Sequence, residues 1–350
     1  MLKAIHFSII TLITFFIFSS FDKQKSEDDL IKIDYIINQS KEINDSVKLQ
    51  EKFSFLKQNY PKSFKENLDV IYTVFLAKIY SASTDKINTK SEQLFKQALV
   101  KAKKLNNPEL LIWLNTENGA YYYQYNEFLK AFPYFMQASK LLETTSDKQL
   151  FQKTAIYKKN AFFFNMINDK EKAEQYYLSA LKTANKTEKN YGTILNSLGN
   201  NYFEKKEYNK AFYYFEQTKT YAIQNNDQIR YAKALGDLAL VYIQQKNYPK
   251  AIELLKKDIE ISTQLKEDRN NMFAQIRLGK LYLQLQQIDD AKIVLNKAKN
   301  YSVTKQYLNT FSKEIYVLLL DIALKQNDVQ TEFDARRKID ELETLINEKE

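Results

Sequence analysis

A small residue and an alanine, always twelve residues apart, recur five times along this chain of 350 residues. The small residues are Gly119, Ala161, Gly199, Ala239 and Gly279. The alanines are Ala131, Ala173, Ala211, Ala251 and Ala291. An aromatic residue follows each small residue by three positions, and a large apolar residue follows each alanine by four. Such self-similarity at a fixed spacing indicates a repeat array.

The spacing within one copy predicts two helices joined by a tight turn. Leu195, Leu198 and Tyr202 stand at i, i+3 and i+7, which places them on one helix face. Ala211 and Phe215 stand four residues apart on a second helix. The charged run between Tyr202 and Ala211 is too short for anything but a turn, so the two helices are antiparallel.

The glycines predict where the two helices of a pair come closest. Three of the five glycines in the chain occupy the small position of a copy. A glycine inside a helix is about 1 kcal/mol less favourable than an alanine, so close packing has to compensate. We expect the two helix backbones to pass close together at Gly199 and Ala211. The aromatic residues, 14% of the chain, are expected to fill the core of the array.

The motif Leu198-Gly199-x-x-Tyr202, followed by Ala211 and Phe215, resembles the tetratricopeptide repeat family. The resemblance implies an all-α, right-handed superhelical solenoid of antiparallel helix pairs. It also implies that the first helices of successive pairs line a concave surface that holds peptides or protein segments. The copies recur every 38–42 residues instead of the family's 34, so the helices or the loops between copies are longer.

The pattern predicts an order of segments along the chain. These are a signal peptide or anchor at 1–21, a helix pair at 26–61, a degenerate repeat at 67–106, five repeats at 108–308 and a capping helix pair at 311–350. Asn107 is expected to cap the first helix of the five repeats, with Pro108 at its first position. Pro133 falls inside a predicted helix, which therefore starts late or bends there.

The C-terminal segment permits two interpretations. Ala335, Ile339, Leu342 and Ile346 alternate four and three residues apart, as in a short coiled-coil seam. A polar-backed helix that caps the array gives the same pattern and is the interpretation we favour. Related bacterial proteins often continue into an output domain, and Glu350 is reached without one, so we expect no output on the same chain.

The N-terminal residues 4–21 carry no formal charge and follow a short basic start. This pattern indicates a secretory signal peptide. The run is also just long enough to be an uncleaved membrane anchor, and a buried helix is the third alternative. We expect export to the periplasm or cell envelope, with 4–21 either removed or retained as an anchor. The absence of cysteine excludes a lipoprotein anchor and disulfides.

The residue inventory argues against catalysis. His6, inside the N-terminal segment, is the only histidine, and the chain has no cysteine. Histidine-based acid–base chemistry, Ser-His or Cys-His nucleophiles and the common transition-metal sites are therefore not expected. The paired carboxylates 28–29 and 289–290 fall at turns and helix starts, where capping explains them. No glycine-rich phosphate loop is present, so we expect no enzyme, metal or cofactor.

The net charge of +9 could attract nucleic acid or an anionic membrane surface. The lysines, however, are dispersed among 43 acidic residues, and the longest basic runs are two residues. Solubility explains this distribution better than a binding surface does. We expect no nucleic-acid partner.

The candidate binding residues follow from the register of the implied concave surface. Asn196 and Asn200 stand one turn apart, and an amide that both donates and accepts suits the backbone of an extended peptide. Solvated polar residues on a helix are the alternative. The same register places Trp113 in the groove. The candidate peptide-binding residues are Lys158, Phe162, Asn196, Asn200, Phe203, Asp237, Leu240 and Arg277.

The sequence thus leads to one main functional hypothesis and two alternatives. The main hypothesis is an exported, non-enzymatic scaffold that binds a protein or peptide through its concave face. The first alternative is an envelope-anchored sensory or regulatory subunit that acts through a separate output protein. The second is a binder of nucleic acid or membrane surfaces driven by charge. None of these hypotheses identifies the partner.

Overall fold

The computed structural model describes residues 28–82, 84, 86–146, 149–302 and 309–347. These residues form α-helices joined by short connections, and no β-strand occurs among them. The predicted all-α class is therefore confirmed. No helix in these ranges is long and apolar enough to cross a membrane. The predicted signal peptide or anchor at 1–21 lies outside the described residues.

The chain divides into two compact units, residues 1–183 (unit 1) and 184–350 (unit 2). Unit 1 contains α1 (28–40), α2 (Ser46–Asn59), α3 (Lys62–Ala82), α4 (Thr89–Lys104), α5 (Pro108–Gln124), α6 (Phe128–Leu142), α7 (Lys153–Met166) and α8 (Lys170–Thr183). Unit 2 contains α9 (Lys189–Glu204), α10 (Tyr208–Gln224), α11 (Gln228–Gln244), α12 (Tyr248–Gln264), α13 (Asp268–Gln284), α14 (Ile288–Ser302), α15 (Asn309–Gln326) and α16 (Val329–Asn347).

The helices pack as successive antiparallel pairs within each unit. In unit 1, α3 packs on α4, α5 on α6 and α7 on α8. In unit 2, α9 packs on α10, α11 on α12, α13 on α14 and α15 on α16. We call the earlier helix of each pair its first helix and the later one its second helix. The five predicted repeats begin at α5, α7, α9, α11 and α13.

A left-handed residue follows the helices of unit 2 at a regular interval. These residues are Lys206, Asn226, Lys246, Lys266 and Gln286, with φ between 53° and 63°. The helices α10, α11, α12 and α13 between them are each 17 residues long. The connections are only three residues long. In unit 2 the extra length relative to the family's 34-residue repeat therefore lies in the helices and not in the loops.

The tight turns within the five repeats are closed by a backbone hydrogen bond that recurs in each of them. The N–H of Glu207 donates to the carbonyl oxygen of Tyr202 at 2.9 Å, across the left-handed Lys206. Six-to-one bonds of this kind satisfy carbonyl groups that a helix end leaves unpaired. The ring of Tyr202 meanwhile stacks on Tyr214 of the second helix, with centroids 5.4 Å apart. The aromatic position of the repeat thus closes the turn and packs the pair.

The glycines of the small position make room for a large side chain of the second helix. A Cβ atom on Gly119 would lie 2.7 Å from the ring of Phe135, and one on Gly279 would lie 2.6 Å from Leu295. A Cβ on Gly199 would likewise collide with the ring of Phe215. The close neighbour is therefore a side chain and not the helix backbone that we expected. Burying such a side chain contributes about 1.5–3 kcal/mol, which offsets the glycine.

The alanines of the repeat are inaccessible to solvent. Ala131, Ala161, Ala173, Ala211, Ala239, Ala251 and Ala291 are each 0% exposed. The large apolar residues Phe135, Phe215, Leu255 and Leu295 are at most 2% exposed. Small and large positions therefore alternate in one continuous layer within each helix pair.

Three further sequence predictions concern the start of α5, the proline in α6 and the apolar residues of α16. Asn107 caps α5, because its side chain accepts the N–H of Leu110 at 2.8 Å, and Pro108 is the first helical residue, as predicted. Pro133 lies well inside α6, so that helix does not start late. In α16, Ala335 and Leu342 are buried, and the capping role of this helix stays a prediction.

Candidate functional site

Three of the predicted binding residues meet on the first helices of unit 2. The amide nitrogen of Asn196 on α9 donates to Oδ2 of Asp237 on α11 at 2.6 Å. Nη2 of Arg277 on α13 donates to Oδ1 of the same carboxylate at 2.9 Å. Asp237 is only 6% exposed. These three side chains, which we call the polar ladder, join α9, α11 and α13.

The polar ladder gives Asn196 an internal partner that the sequence did not reveal. Its amide N–H is used by Asp237, and both oxygens of Asp237 accept hydrogen bonds within the protein. A buried carboxylate that is fully paired has little left to offer a ligand. Asn196, Asp237 and Arg277 therefore hold neighbouring helices together first, and their role in binding stays a prediction.

Asn200, one turn after Asn196, is in a different situation. Its side chain is half-buried and has no hydrogen-bond partner among the residues that the structure describes. Phe203 and Leu240 are also half-buried, and the ring of Phe203 lies 5.4 Å from that of Tyr208. An unpaired amide beside apolar side chains can bind a peptide backbone while the apolar groups contact a ligand side chain.

A buried acid behind the polar ladder was missed by the sequence analysis. Asp258 on α12 is 1% exposed, and its Oδ1 accepts from Ser262 at 3.0 Å and from Asn270 at 2.6 Å. Burial raises the pKa of the Asp258 carboxyl to about 7. A Cβ on Gly236 would collide with this carboxylate, so the glycine makes space for it. The sequence feature that could have revealed this site is the aspartate itself, because three other copies have an alanine at the same position: Ala138, Ala180 and Ala298.

The predicted residues Lys158 and Phe162 belong to α7 of unit 1. Lys158 is half-buried, and burial together with the charge of Lys41 lowers its pKa. Phe162 is 36% exposed and meets the ring of Tyr177 edge-on, with centroids 5.7 Å apart. The structure places these two residues in unit 1 and the other six candidates in unit 2.

Unit 1 has its own charged link between first helices. Glu117 on α5 pairs with Lys78 on α3 at 2.7 Å and with Lys159 on α7 at 2.6 Å. Burial alone would raise the pKa of Glu117, but the two lysines hold it at about 2. Neighbouring first helices are thus tied by ion pairs in unit 1, as the polar ladder ties them in unit 2.

The chemistry of these sites is that of hydrogen bonds and ion pairs. Among the described residues, no group of three or more His, Cys, Asp or Glu side chains is arranged to hold a metal ion. The two buried aspartates of unit 2 are engaged by amide, hydroxyl and guanidinium donors. The arrangement suits recognition of polar backbone groups and apolar side chains.

Comparison with known proteins identifies the repeat. Residues 230–300 match the family model described as tetratricopeptide repeat, and they cover α12, α13 and most of α11 and α14. No curated protein matches the chain.

Several solved structures share this fold. The apo form of RapI has a TM-score of 0.61 and 13% identity, covering 92% of this chain and 98% of RapI. The apo quorum sensor NprR from B. thuringiensis has a TM-score of 0.57 and 13% identity, covering 93% and 99%. A Rap protein complexed with competence and sporulation factor has a TM-score of 0.54 and 13% identity, covering 93% and 100%. At these identities the likeness establishes a common fold.

Proposed function

We propose that this chain, which carries tetratricopeptide repeats, is a non-enzymatic scaffold that binds a peptide or a protein segment. The binding surface is the face formed by α9, α11 and α13 of unit 2. The observation that carries the proposal is the amide of Asn200, which has no partner among the described side chains and lies on this face with Phe203 and Leu240. The polar ladder supports the surface by fixing the three helices relative to one another.

The chemistry of this face favours an extended segment with apolar side chains. The charges of Asp237 and Arg277 neutralise each other, so an acidic or basic ligand finds no unpaired countercharge in the ladder. An amide pairs equally well with the N–H or the carbonyl of a peptide group. The Rap protein that shares this fold was solved in complex with competence and sporulation factor, which supports ligand binding by this architecture.

We further propose that the protein is exported. The uncharged residues 4–21 motivate this proposal, and their fate decides between the soluble scaffold and the envelope-anchored sensory subunit. N-terminal sequencing of the mature protein tests both. A new N-terminus after residue 21 supports the cleaved form, and a retained segment in the membrane fraction supports the anchor. A retained segment in the soluble fraction argues against export by this route.

The binding proposal is tested with peptides selected from a displayed random library on the purified chain. We expect Asn200→Ala to weaken the binding of a selected peptide about tenfold, because a buried peptide group loses its partner at a cost of about 1–3 kcal/mol. Isothermal titration calorimetry measures the affinity, and the melting temperature should change little. The matched control is Asn296→Ala, which removes the same group from the second helix α14.

A second control separates binding by the face from binding by charge. Lys206 lies in the turn between α9 and α10, and Lys206→Ala removes one positive charge. We expect it to leave the affinity unchanged. If Lys206→Ala weakens binding with a steep salt dependence while Asn200→Ala has no effect, the face proposed here is wrong and charge accounts for binding.

A further inference from the structure

A cavity of about 500 Å³ in unit 1 is lined by side chains of α4, α5 and α6. We call it the unit 1 cavity. Its α4 side consists of Glu92, Lys96, Leu99 and Lys103, which stand at i, i+4, i+7 and i+11 and therefore share one helix face. Sites for small organic ligands commonly have volumes of about 300–1,000 Å³. The unit 1 cavity thus has the size of a small-molecule site.

The cavity lies where another copy of the repeat packs apolar side chains. The position four residues before the small position holds Asn115 in the first copy, and Tyr157, Leu195, Leu235 and Gln275 in the later ones. In the fourth copy, Leu235 packs in an apolar cluster with Leu254 of the second helix. The first copy has Asn115 and Tyr134 at these two positions, and both line the cavity. A space that the fourth copy closes with leucines is therefore open in the first.

Asn115 brings a hydrogen-bond acceptor to the buried side of the cavity. The residue is only 4% exposed. Its Nδ2 donates to the carbonyl oxygen of Leu111 at 2.8 Å, but its Oδ1 has no hydrogen-bond partner among the residues that the structure describes. A shielded acceptor without a partner favours a ligand that brings a donor. The inner end of the cavity therefore suits an N–H or O–H group.

The outer part of the cavity is positively charged. Lys96 and Lys103 of α4 are exposed and have no ion-pair partner in the described part of the chain. Lys130 of α6 pairs with Glu127 at 3.4 Å. The lining also contains Glu92, which accepts a tyrosine hydroxyl of α5 at 2.9 Å. Three lysines against one glutamate leave the lining with an excess of two positive charges, which attracts an anionic group.

We propose that the unit 1 cavity binds a small organic anion with an apolar ring. An N–H group of the ligand meets Oδ1 of Asn115, and its acidic group meets Lys96 and Lys103. The ring lies between these two ends, against Leu99 and Tyr134. The site uses α4, α5 and α6 only, so it is separate from the peptide-binding face proposed for unit 2.

The test uses indole-3-acetate, because this probe carries an N–H group and a carboxylate on opposite sides of a planar apolar ring. Isothermal titration calorimetry with the full chain measures its Kd. Two matched probes each remove one feature: the neutral amide of the acid lacks the charge, and the ring N-methyl derivative lacks the donor. We expect each to bind about tenfold more weakly than indole-3-acetate.

Variants of the chain assign these preferences to particular residues. Lys103→Met should remove most of the preference for the acid over its neutral amide. The matched control is Lys101→Met, which removes an exposed lysine of the same helix that does not line the cavity. Asn115→Leu copies Leu235 of the fourth copy and should fill the cavity. We expect it to abolish binding of the probe without lowering the melting temperature.

Several results would overturn the proposal. Indole-3-acetate that does not bind at millimolar concentration, or three probes of equal affinity, would show that the cavity does not recognise this class of ligand. Equal effects of Lys103→Met and Lys101→Met would show attraction by overall charge alone. If Asn115→Leu does not fold, the comparison of the two lysine variants still decides. Unchanged binding by a folded Asn115→Leu variant would place the probe outside the cavity.

Discussion

At the scale of single residues, the small position and the large apolar position of a helix pair share one space. Gly199 faces Phe215, and Gly279 faces Leu295. In the fourth copy the equivalent positions hold Ala239 and Leu255. The third copy thus combines glycine with phenylalanine and the fourth combines alanine with leucine, so the summed volume of these two copies stays similar, whereas Ala161 with Tyr177 and Gly279 with Leu295 do not follow this compensation. Protein interiors tolerate such volume-conserving exchanges best.

This compensation predicts a coupling between Gly199 and Phe215. Gly199→Ala should lower the free energy of unfolding by about 1–3 kcal/mol, although alanine favours the helix by about 1 kcal/mol. The reason is that the new Cβ collides with the phenylalanine ring. Phe215→Leu alone leaves a small void. The double substitution recreates the alanine–leucine pair and should be more stable than the sum of the two single effects.

Urea denaturation followed by circular dichroism measures this cycle. A positive coupling of about 1 kcal/mol or more agrees with the packing described here. A stabilised Gly199→Ala variant would show that the glycine is not required for packing.

At the scale of elements, the regularity of unit 2 comes from its turns. Each turn places one residue in the left-handed region, at Lys206, Asn226, Lys246, Lys266 and Gln286. Three lysines, one asparagine and one glutamine do not form a recognisable sequence motif, because no glycine marks the position. The turn is set by the six-to-one hydrogen bond, which stops the helix at the same point in each copy.

The turn geometry predicts opposite effects for two neighbouring substitutions. Lys246 has a φ of 60°, where a side chain is strained, and Lys246→Gly should raise the free energy of unfolding by about 0.5–1 kcal/mol. Gln245 precedes it with an ordinary φ of −79°. Gln245→Gly should lower the free energy by about 0.5–1 kcal/mol, because it only adds flexibility.

Both residues are exposed, so urea denaturation of the two variants reports on the backbone alone. The same sign for both substitutions would contradict the assignment of Lys246 to the left-handed position.

At the scale of the whole molecule, each unit is a stack of pairs in which a helix contacts its own partner most extensively. The stability of such stacks is approximately a sum over pairs and their neighbours. The stability of a truncated chain should therefore depend more on whether the cut separates a helix from its partner than on the number of residues removed.

Two truncations test this modularity. A chain that ends after Lys266 loses α13 to α16 but keeps α11 and α12 paired. It should remain folded and lose only the helical signal of the removed residues. A chain that ends after Lys246 leaves α11 without α12, and α11 should unfold as well. Far-UV circular dichroism measures both losses.

A complete loss of helix after the first cut would show that the chain is one indivisible domain. Equal helix content per remaining residue for the two cuts would show that the pairing of α11 with α12 does not stabilise α11.

The amino-acid sequence by itself determined the helix pairs and their register. These features depend on residues within one copy, since a small residue, an aromatic and an alanine at fixed spacing specify a helix face and its partner. The all-α class and the positions of the first helices followed from this pattern. The sequence left open whether the longer period lay in helices or loops, because both change the spacing equally.

Only the tertiary structure decided which polar side chains are used internally. Asn196 and Asn200 look alike in the sequence, yet Asn196 is bound to Asp237, 41 residues away, while Asn200 has no partner among the described residues. The hydrogen bond between Asp34 of α1 and Gln152 spans 118 residues. Such contacts follow from how pairs stack in space, and local spacing carries no record of them.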